Sequence, residues 1–293
     1  MVAVDVDGTL LDTEFDDTLA PRTIAALDAV RAAGHVLALC TGRNTRSVNG
    51  LLEKSRWAPG GLPMVLLNGA LVKGGQPVRE LSKHVLEEPD IGRLIALFTA
   101  CDVVPMVYGT DEDGGVLHYQ TCELNDILAR YIDARRQTVG AILPTADLAG
   151  ETIPRALEVG TIDHQEKIAT LTARVNAEMG GRVNVINTRS LLGGGAYYWA
   201  EVYKAGCDKG TGVRTLGAEV GIPDGRIVAI GDNYNDLDMF AVAGFSVAMA
   251  GSPDEVLAAA DGIAPPVGEH GAARVLEDIA AGVWPPAHKG DPS

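Results

Sequence analysis

Residues 2–10, with the sequence VAVDVDGTL, place a short run of β-branched residues directly before two aspartates and a glycine. Such a run predicts a buried strand that ends at a turn. Because reacting groups lie at the carboxyl ends of strands in an open α/β sheet, Asp5 and Asp7 occupy a position where chemistry is expected. Two carboxylates this close repel each other, and a nearby cation would lower that cost. A plain Asp-Gly turn gives the same local pattern, so the assignment depends on the rest of the chain.

Length and charge limit the classes of protein that this chain can represent. At 293 residues, it exceeds the usual size of a single-core domain, which favours two domains. The first predicted strand begins almost at the N-terminus and leaves no room for a secretory signal, so we expect a cytoplasmic protein. The 24 Lys and Arg residues against 39 Asp and Glu residues give a formal net charge of -15. This charge argues against nucleic-acid and membrane partners, and a site for a phosphorylated ligand must be locally positive.

The four cysteines show no spacing typical of a metal site. They stand at positions 40, 101, 122 and 207. In a cytosolic protein, this pattern predicts reduced and mostly buried thiols.

Strand-like and helix-like segments alternate along the first part of the chain. Residues 21–33 have apolar residues at helical spacing, with Pro21 suited to the first turn and Gly34 to the C-terminal cap. Residues 36–40 and 64–67 are predicted to be buried strands. Strand, helix and strand joined by short loops predict an α/β fold with a doubly wound parallel sheet.

The pattern changes near residue 82, where a second, α+β domain is predicted as an insertion. It contains helix-like and strand-like segments at residues 90–99, 103–108, 116–120, 125–136, 156–162, 165–178 and 182–187. The first pattern then resumes with predicted elements at 210–220, 227–230, 236–243 and 246–249. The predicted domains are therefore a discontinuous core, residues 1–81 and 204–293, and an inserted domain, residues 82–203. Residues 285–293 have the composition of a disordered tail.

A second group of acidic residues follows another predicted strand, in the segment IGDNYND at residues 230–236. Asp232 and Asp236 are four residues apart and face the same way if a helix begins there. Helix capping alone could explain Asn235 and Asp236. It does not explain why two distant strands both end in acid pairs. Several carboxylates at one sheet edge need a hard cation, and oxygen ligands point to Mg²⁺.

Two further segments carry groups that suit phosphate. Thr41-Gly42 places a hydroxyl and a backbone N–H at the end of a strand, although a helix N-cap would look the same. Lys209, beside Gly210 at a predicted helix start, could bring an ammonium close to the acids. A solvated surface lysine is the alternative interpretation, and Lys204 is a nearby competitor.

These segments, in this order, resemble the four motifs of the haloacid dehalogenase superfamily. The residues that carry the resemblance are the segment DVDGT at 5–9, Thr41-Gly42, Lys209 and the segment GDNYND at 231–236. Asn68-Gly69-Ala70 and the large insertion between the second and third motifs resemble the Cof-type phosphatases of that superfamily. The resemblance implies a Rossmann-like core with an inserted α/β cap domain.

The resemblance also implies roles for individual residues. Asp5 would attack phosphorus and form an aspartyl-phosphate, and Asp7 would act as general acid and then as general base. Thr41 and Lys209 would hold the phosphoryl oxygens, and Asn235 would orient the phosphate or a metal ligand. Mg²⁺ would be bound by Asp5, the Asp7 backbone carbonyl and Asp232, with Asp236 acting directly or through water.

The implied function is Mg²⁺-dependent hydrolysis of small phosphorylated metabolites, above all sugar phosphates. The candidate substrate contacts are Gly42, Arg43, Asn68 and the aromatic residues Tyr197, Tyr198 and Trp199, although packing within the cap explains the three aromatic residues better. A phosphomutase and a non-catalytic phospho-ligand-binding protein are the alternatives, and a dehalogenase fits less well. The sequence leaves the identity of the metabolite and the oligomeric state open.

Overall fold

Two β-sheets organise the chain in the computed structural model, which describes residues 1–12, 18–109, 115–136, 141–153, 155–190 and 192–283. The strands are β1 (Val2–Val4), β2 (Leu37–Cys40), β3 (Met64–Leu66), β4 (Leu71–Gly74), β5 (Arg79–Lys83), β6 (Met106–Gly109), β7 (Val116–Gln120), β8 (Ala141–Thr145), β9 (Ala156–His164), β10 (Val183–Arg189), β11 (Tyr197–Lys204), β12 (Val228–Gly231), β13 (Phe245–Met249) and β14 (Gly262–Ala264). The helices are α1 (Pro21–Ala32), α2 (Thr45–Lys54), α3 (Glu88–Ala100), α4 (Asp126–Arg135), α5 (Gln165–Met179), α6 (Lys209–Val220), α7 (Leu237–Val242), α8 (Asp254–Ala259) and α9 (Gly271–Ala280).

The first sheet, here called the core sheet, has eight strands in the order β14-β13-β12-β1-β2-β3-β4-β5. Neighbouring strands from β14 to β3 are parallel, which confirms the predicted α/β class. The antiparallel strands β4 and β5 extend one edge and were not predicted. The chain leaves β1 toward β2 and returns to its other side at β12, which makes β1 the switch point of the sheet.

The second sheet, here called the cap sheet, has six strands in the order β10-β11-β9-β6-β7-β8. Its neighbouring strands are antiparallel except for β7 and β8. Helices α3 and α5 pack against one face and bury a cluster of apolar side chains that includes Phe98 and Leu171. The domain boundaries at residues 81/82 and 203/204 stay a prediction; β5 continues to Lys83 and β11 to Lys204.

Helix ends agree with the local sequence. Pro21 lies in the first turn of α1, and Gly34, at φ +86°, follows its C-terminus, as the pattern predicted. At the start of α6, the Asp208 carboxylate accepts a hydrogen bond from the Thr211 backbone N–H at 2.6 Å. This cap fixes the first turn of α6 and, with it, the position of Lys209.

The four cysteines are free, but only Cys40 and Cys207 are buried. Cys101 is half-buried and Cys122 is exposed, so the prediction of mostly buried thiols is wrong for these two. They follow the end of α3 and of β7, where the chain turns at the surface. The predicted tail at 285–293 lies outside the described residues. Within the described part of the chain, we find no helix with the length and apolar character that a bilayer crossing requires.

We predict that Gly69→Ala destabilises the fold more than Gly34→Ala does. Both glycines have positive φ, which costs an alanine about 1 kcal/mol. A Cβ at Gly69 would lie 2.1 Å from the Asp208 carbonyl oxygen, whereas nothing lies within 4 Å of one at Gly34. We therefore expect a total loss of about 3 kcal/mol for Gly69→Ala, measured by urea unfolding. Equal losses for the two variants would contradict the close approach at Gly69.

Candidate active site

The ends of three neighbouring strands bring the predicted site residues together. Val4 of β1 lies opposite Leu39 of β2 and Ile230 of β12. Asp5, Thr41 and Asp232 follow these strands at the same edge of the core sheet. The expectation that distant acidic segments meet at one sheet edge is therefore confirmed.

Lys209 lies between two aspartates at the start of α6. Its Nζ is 2.6 Å from Asp5 Oδ1 and 2.7 Å from Asp236 Oδ1, and its side chain has no exposed surface. Burial by itself lowers the pKa of Lys209, but the charges of Asp236 and Asp5 raise it above its usual value. Lys209 is therefore a permanent cation inside the site, not a solvated surface lysine.

Both carboxylate oxygens of Asp236 are used by the protein. Oδ1 accepts from Lys209, and Oδ2 accepts from the backbone N–H groups of Asp232 at 2.8 Å and Asn233 at 3.0 Å. Asp236 thus holds the lysine and shapes the loop after β12. Its predicted role as a direct metal ligand stays a prediction.

Asp5, Asp232 and Asp236 form a cluster of carboxylates with one oxygen of each within 4.8 Å of the others. Burial, together with the neighbouring Asp236 and Asp7 charges, raises the pKa of Asp5 to about 7 against the opposing effect of Lys209. Burial and the charges of Asp5 and Asp236 raise the pKa of Asp232 well above its usual value. A hard divalent cation fits this set of oxygens, because it would compensate the repulsion that one lysine leaves.

Asp7 is held by Arg43 in a two-point ion pair. Arg43 Nε donates to Asp7 Oδ2 at 2.8 Å, and a terminal nitrogen donates to Oδ1 at 2.6 Å. The arginine side chain is 1% exposed and that of Asp7 is 22% exposed, so the carboxylate faces the opening. The Arg43 backbone N–H donates to Thr41 Oγ1 at 3.0 Å, which ties this ion pair to the predicted phosphate segment.

Asn68 links the core sheet to the cap sheet. Its backbone, at φ 48°, donates to the Thr41 carbonyl at 3.1 Å, and its Oδ1 accepts from Asn235 Nδ2 at 2.9 Å. Its Nδ2 donates to Glu201 Oε2 at 3.0 Å. A Cβ at Gly42 would lie 3.3 Å from Nδ2, so the glycine permits the close approach of Asn68. Two predicted substrate-binding residues, Asn68 and Asn235, thus contact each other.

A small cavity of about 100 Å³ lies between the two sheets. From the core it is lined by predicted residues: Asp5, Asp7, Thr41, Gly42, Arg43 and Asn235. The cap contributes residues that the sequence did not single out, except for Trp199: Tyr131, Arg135, Thr188, Arg189, Trp199 and Glu201. Arg43, Arg135 and Arg189 line this cavity together with the carboxylates of Asp5, Asp7 and Glu201, so cationic groups that a phosphorylated ligand requires are present there.

The three aromatic candidates of β11 lie in different surroundings. Trp199 borders the cavity and packs edge to face on Tyr131, with ring centroids 4.6 Å apart. Tyr197 packs on His164, and Tyr198 faces a separate cleft beside α5. The hydrophobicity of the three residues does not predict which of them lines the cavity, because the neighbours of each ring come from distant segments of the chain.

The chain is similar to known proteins over most of its length. Residues 2–276 match the family described as haloacid dehalogenase-like hydrolase. The chain belongs to this family. The 5-amino-6-(5-phospho-D-ribitylamino)uracil phosphatase YitU of Bacillus subtilis is 27% identical over 278 residues, covering 95% of this chain and 96% of that protein. A phosphoglycolate phosphatase of Halorubrum lacusprofundi is 33% identical over 174 residues, covering 57% of this chain and 71% of that protein.

The fold of this haloacid dehalogenase-like hydrolase is also found in solved structures. A haloacid dehalogenase-like hydrolase from Bacteroides thetaiotaomicron superposes with a TM-score of 0.75 at 23% identity. The superposition covers 95% of this chain and 98% of that one. The predicted family and the predicted core-and-cap fold are confirmed, and the predicted enzyme class, a phosphoric monoester hydrolase, agrees with the named relatives.

We predict that, without divalent cations, the protein loses stability as the pH rises through about 7. The raised pKa of Asp5 stabilises the folded state fully below its unfolded value near 4, and this contribution is lost as the pH passes about 7. Added Mg²⁺ needs ionised carboxylates, so it should raise the melting temperature more above pH 7 than below. Thermal unfolding in EDTA and in Mg²⁺ measures both effects. Asp5→Asn should reduce them, and an equal Mg²⁺ effect at all pH values would contradict the prediction.

Proposed function

We propose that this hydrolase is a Mg²⁺-dependent phosphatase of small phosphorylated metabolites, with sugar phosphates as the leading class. The observation that carries the proposal is the pairing of Asp5 with Lys209 and of Asp7 with Arg43 at one small cavity. Two carboxylates held by separate cations can take different roles in one reaction. The similarity to named phosphatases supports the same conclusion.

In this proposal, Asp5 is the nucleophile. Lys209 favours its ionised form, and an oxygen of that carboxylate attacks phosphorus while the bond to the leaving oxygen breaks. The product is an aspartyl-phosphate, which divides hydrolysis into two easier steps. Lys209 lies next to the transferred group, because it already contacts Asp5 at 2.6 Å.

Asp7 is the general acid and base. Arg43 fixes the Asp7 carboxyl group at the cavity. The form of Asp7 that acts in the first step is the protonated one, which gives its proton to the leaving oxygen and becomes a carboxylate. In the second step, the same carboxylate takes a proton from the water that attacks the aspartyl-phosphate. Thr41, Gly42 and Asn235, at the adjoining strand ends and loop, are placed to donate to the phosphoryl oxygens.

The residues that would hold Mg²⁺ are Asp5, Asp232 and the backbone carbonyl of Asp7. When bound, the ion supplies positive charge that offsets the charge of the transferring phosphoryl group. The Thr9 hydroxyl donates to Asp232 Oδ1 at 3.1 Å and orients that carboxylate. Asp236 acts through Lys209 and the loop backbone, as its hydrogen bonds indicate.

A phosphatase assay tests the proposal directly. We expect phosphate release from an aryl phosphate and from members of a sugar-phosphate panel, with activity in Mg²⁺ and none in EDTA. Asp5→Asn should lose turnover and keep its fold, as judged by circular dichroism and melting temperature. Turnover by Asp5→Asn, free of wild-type protein, would overturn the nucleophile assignment. Conversion between sugar-phosphate isomers without phosphate release would indicate a phosphomutase instead.

The role of Asp7 predicts a dependence on the leaving group. We expect Asp7→Asn to lower kcat for a sugar phosphate by about 10²- to 10⁴-fold, the usual contribution of a general acid. With p-nitrophenyl phosphate, the substitution should lower the rate of the first step by a smaller factor, because the p-nitrophenolate leaving group needs no protonation. Single-turnover measurements on both substrates isolate that step. Equal losses would assign Asp7 a role other than proton donation.

A further inference from the structure

The hydroxyl of Tyr203 joins two carboxyl groups of the cap sheet behind the cavity. It lies 3.0 Å from Glu158 Oε2 on β9 and 3.1 Å from Glu201 Oε1 on the same strand as the tyrosine. Tyr203 is fully buried, whereas both glutamates are half-buried. Asn68 of the core also reaches this group, since its Nδ2 lies 3.2 Å from the tyrosine oxygen.

The hydrogen bonds of this cluster are all satisfied when one of its carboxyl groups carries a proton. The two Nδ2 hydrogens of Asn68 go to Glu201 and to the Tyr203 oxygen. Tyr203 has one hydrogen and two carboxyl neighbours, so it can donate to only one of them. The contact with the other is a hydrogen bond only if that carboxyl group donates to the tyrosine oxygen.

The surroundings assign this proton to Glu158. Glu201 accepts from the Asn68 amide, which favours its ionised form. Loss of solvent around the carboxyl group raises the pKa of Glu158 to about 7, against the opposing effects of the Tyr203 hydroxyl and Arg135. The titratable and charged groups on the elements packed around Glu158 are Arg135 and Tyr131 of α4, Glu201 and Tyr203 of β11, and Tyr108 of β6.

The cluster is connected to the catalytic residues through Asn68. The same asparagine donates its backbone N–H to the Thr41 carbonyl and accepts from Asn235. A change in its amide contacts would therefore displace groups at the phosphate site. Glu158 and Tyr203 do not line the cavity, so they can act on it only through neighbours, namely Asn68, Glu201 and Arg135.

We propose that protonated Glu158 and Tyr203 are positioning residues, which hold Asn68 and Glu201 in the arrangement that binds the phosphoryl group. The proposal rests on the proposed phosphatase function, because it assigns the phosphoryl group to the Thr41 and Asn235 side of the cavity. Loss of the Glu158 proton leaves two ionised carboxylates with one hydroxyl between them. The hydrogen bond between Glu158 and Tyr203 is lost, so Tyr203, which is one of the groups that Asn68 contacts, is held less firmly.

The test compares wild-type protein with Glu158→Gln, whose amide donates to Tyr203 without titrating. Binding of inorganic phosphate in Mg²⁺ is measured by calorimetry one pH unit below and one above about 7. Between these two pH values, we expect the affinity of the wild type for phosphate to fall about three- to tenfold more than that of the variant. This factor corresponds to the loss of one hydrogen bond. Glu166→Gln, at an exposed position of α5, is the matched control and should behave as the wild type. Equal losses in wild type and Glu158→Gln would overturn the proposal.

Two readouts separate this proposal from the proposed function. Infrared spectroscopy below pH 7 should show the carbonyl band of a protonated carboxyl group that Glu158→Gln lacks and Glu166→Gln retains. Tyr203→Phe removes the shared hydroxyl and should weaken phosphate binding at both pH values while kcat falls less than kcat/KM. If no phosphate ester is hydrolysed, the proposed function fails, while the infrared band still decides the protonation of Glu158. A missing band would overturn the positioning role even in an active phosphatase.

Discussion

The site depends on one buried cation between two aspartates. Lys209 contacts both Asp5 and Asp236 without exposure to solvent, and a buried charge of this kind is tolerated only when it is paired. Removing Lys209 would leave two buried carboxylates without a cation, which costs about 3–5 kcal/mol. The geometry of Asp5, the loop after β12 and the start of α6 is therefore maintained by the same interaction. The Lys209 pairings do not balance the negative charge of Asp232, and a divalent cation would balance this remaining charge.

A second constraint is the contact between the two sheets. Asn68 lies at the end of the β3 segment and donates to Glu201 of the cap sheet, while Asn233 exchanges two hydrogen bonds with the backbone of Arg189 on β10. These polar contacts hold a small cavity over Asp5 and Asp7. The two bonds between Asn233 and the Arg189 backbone join neutral groups and have a modest net free energy, whereas the bond from Asn68 to the Glu201 carboxylate is stronger. The cap thus contributes residues that line the cavity and, through Glu201, a contact that holds Asn68 of the core.

The sequence predicted the core elements well because their signals are local. Short β-branched runs, a proline at the start of α1 and a glycine after its end predicted eight core elements within a few residues, namely β1, β2, β3, β12, β13, α1, α6 and α7. The core elements β14, α2, α8 and α9 were not predicted. Strands β4, β5 and β8 were also missed, since β4 and β5 contain glycine and charged residues and β8 contains a proline. Their extended form depends on pairing with neighbours, which a single segment does not reveal.

By itself, the sequence determined which groups stand at the strand ends: the acids of two distant segments, Thr41 and a lysine at a helix start. A parallel sheet brings such ends to one edge, so their proximity followed from the fold class. Only the tertiary structure decided how each charge is paired, with Lys209 on Asp5 and Asp236 and Arg43 on Asp7. It alone placed Glu201 in the wall of the cavity and Glu158 and Tyr203 behind it. The reason is physical: pairing and proton sharing depend on distances between side chains far apart in the chain, whereas strand and helix signals depend on neighbours in sequence.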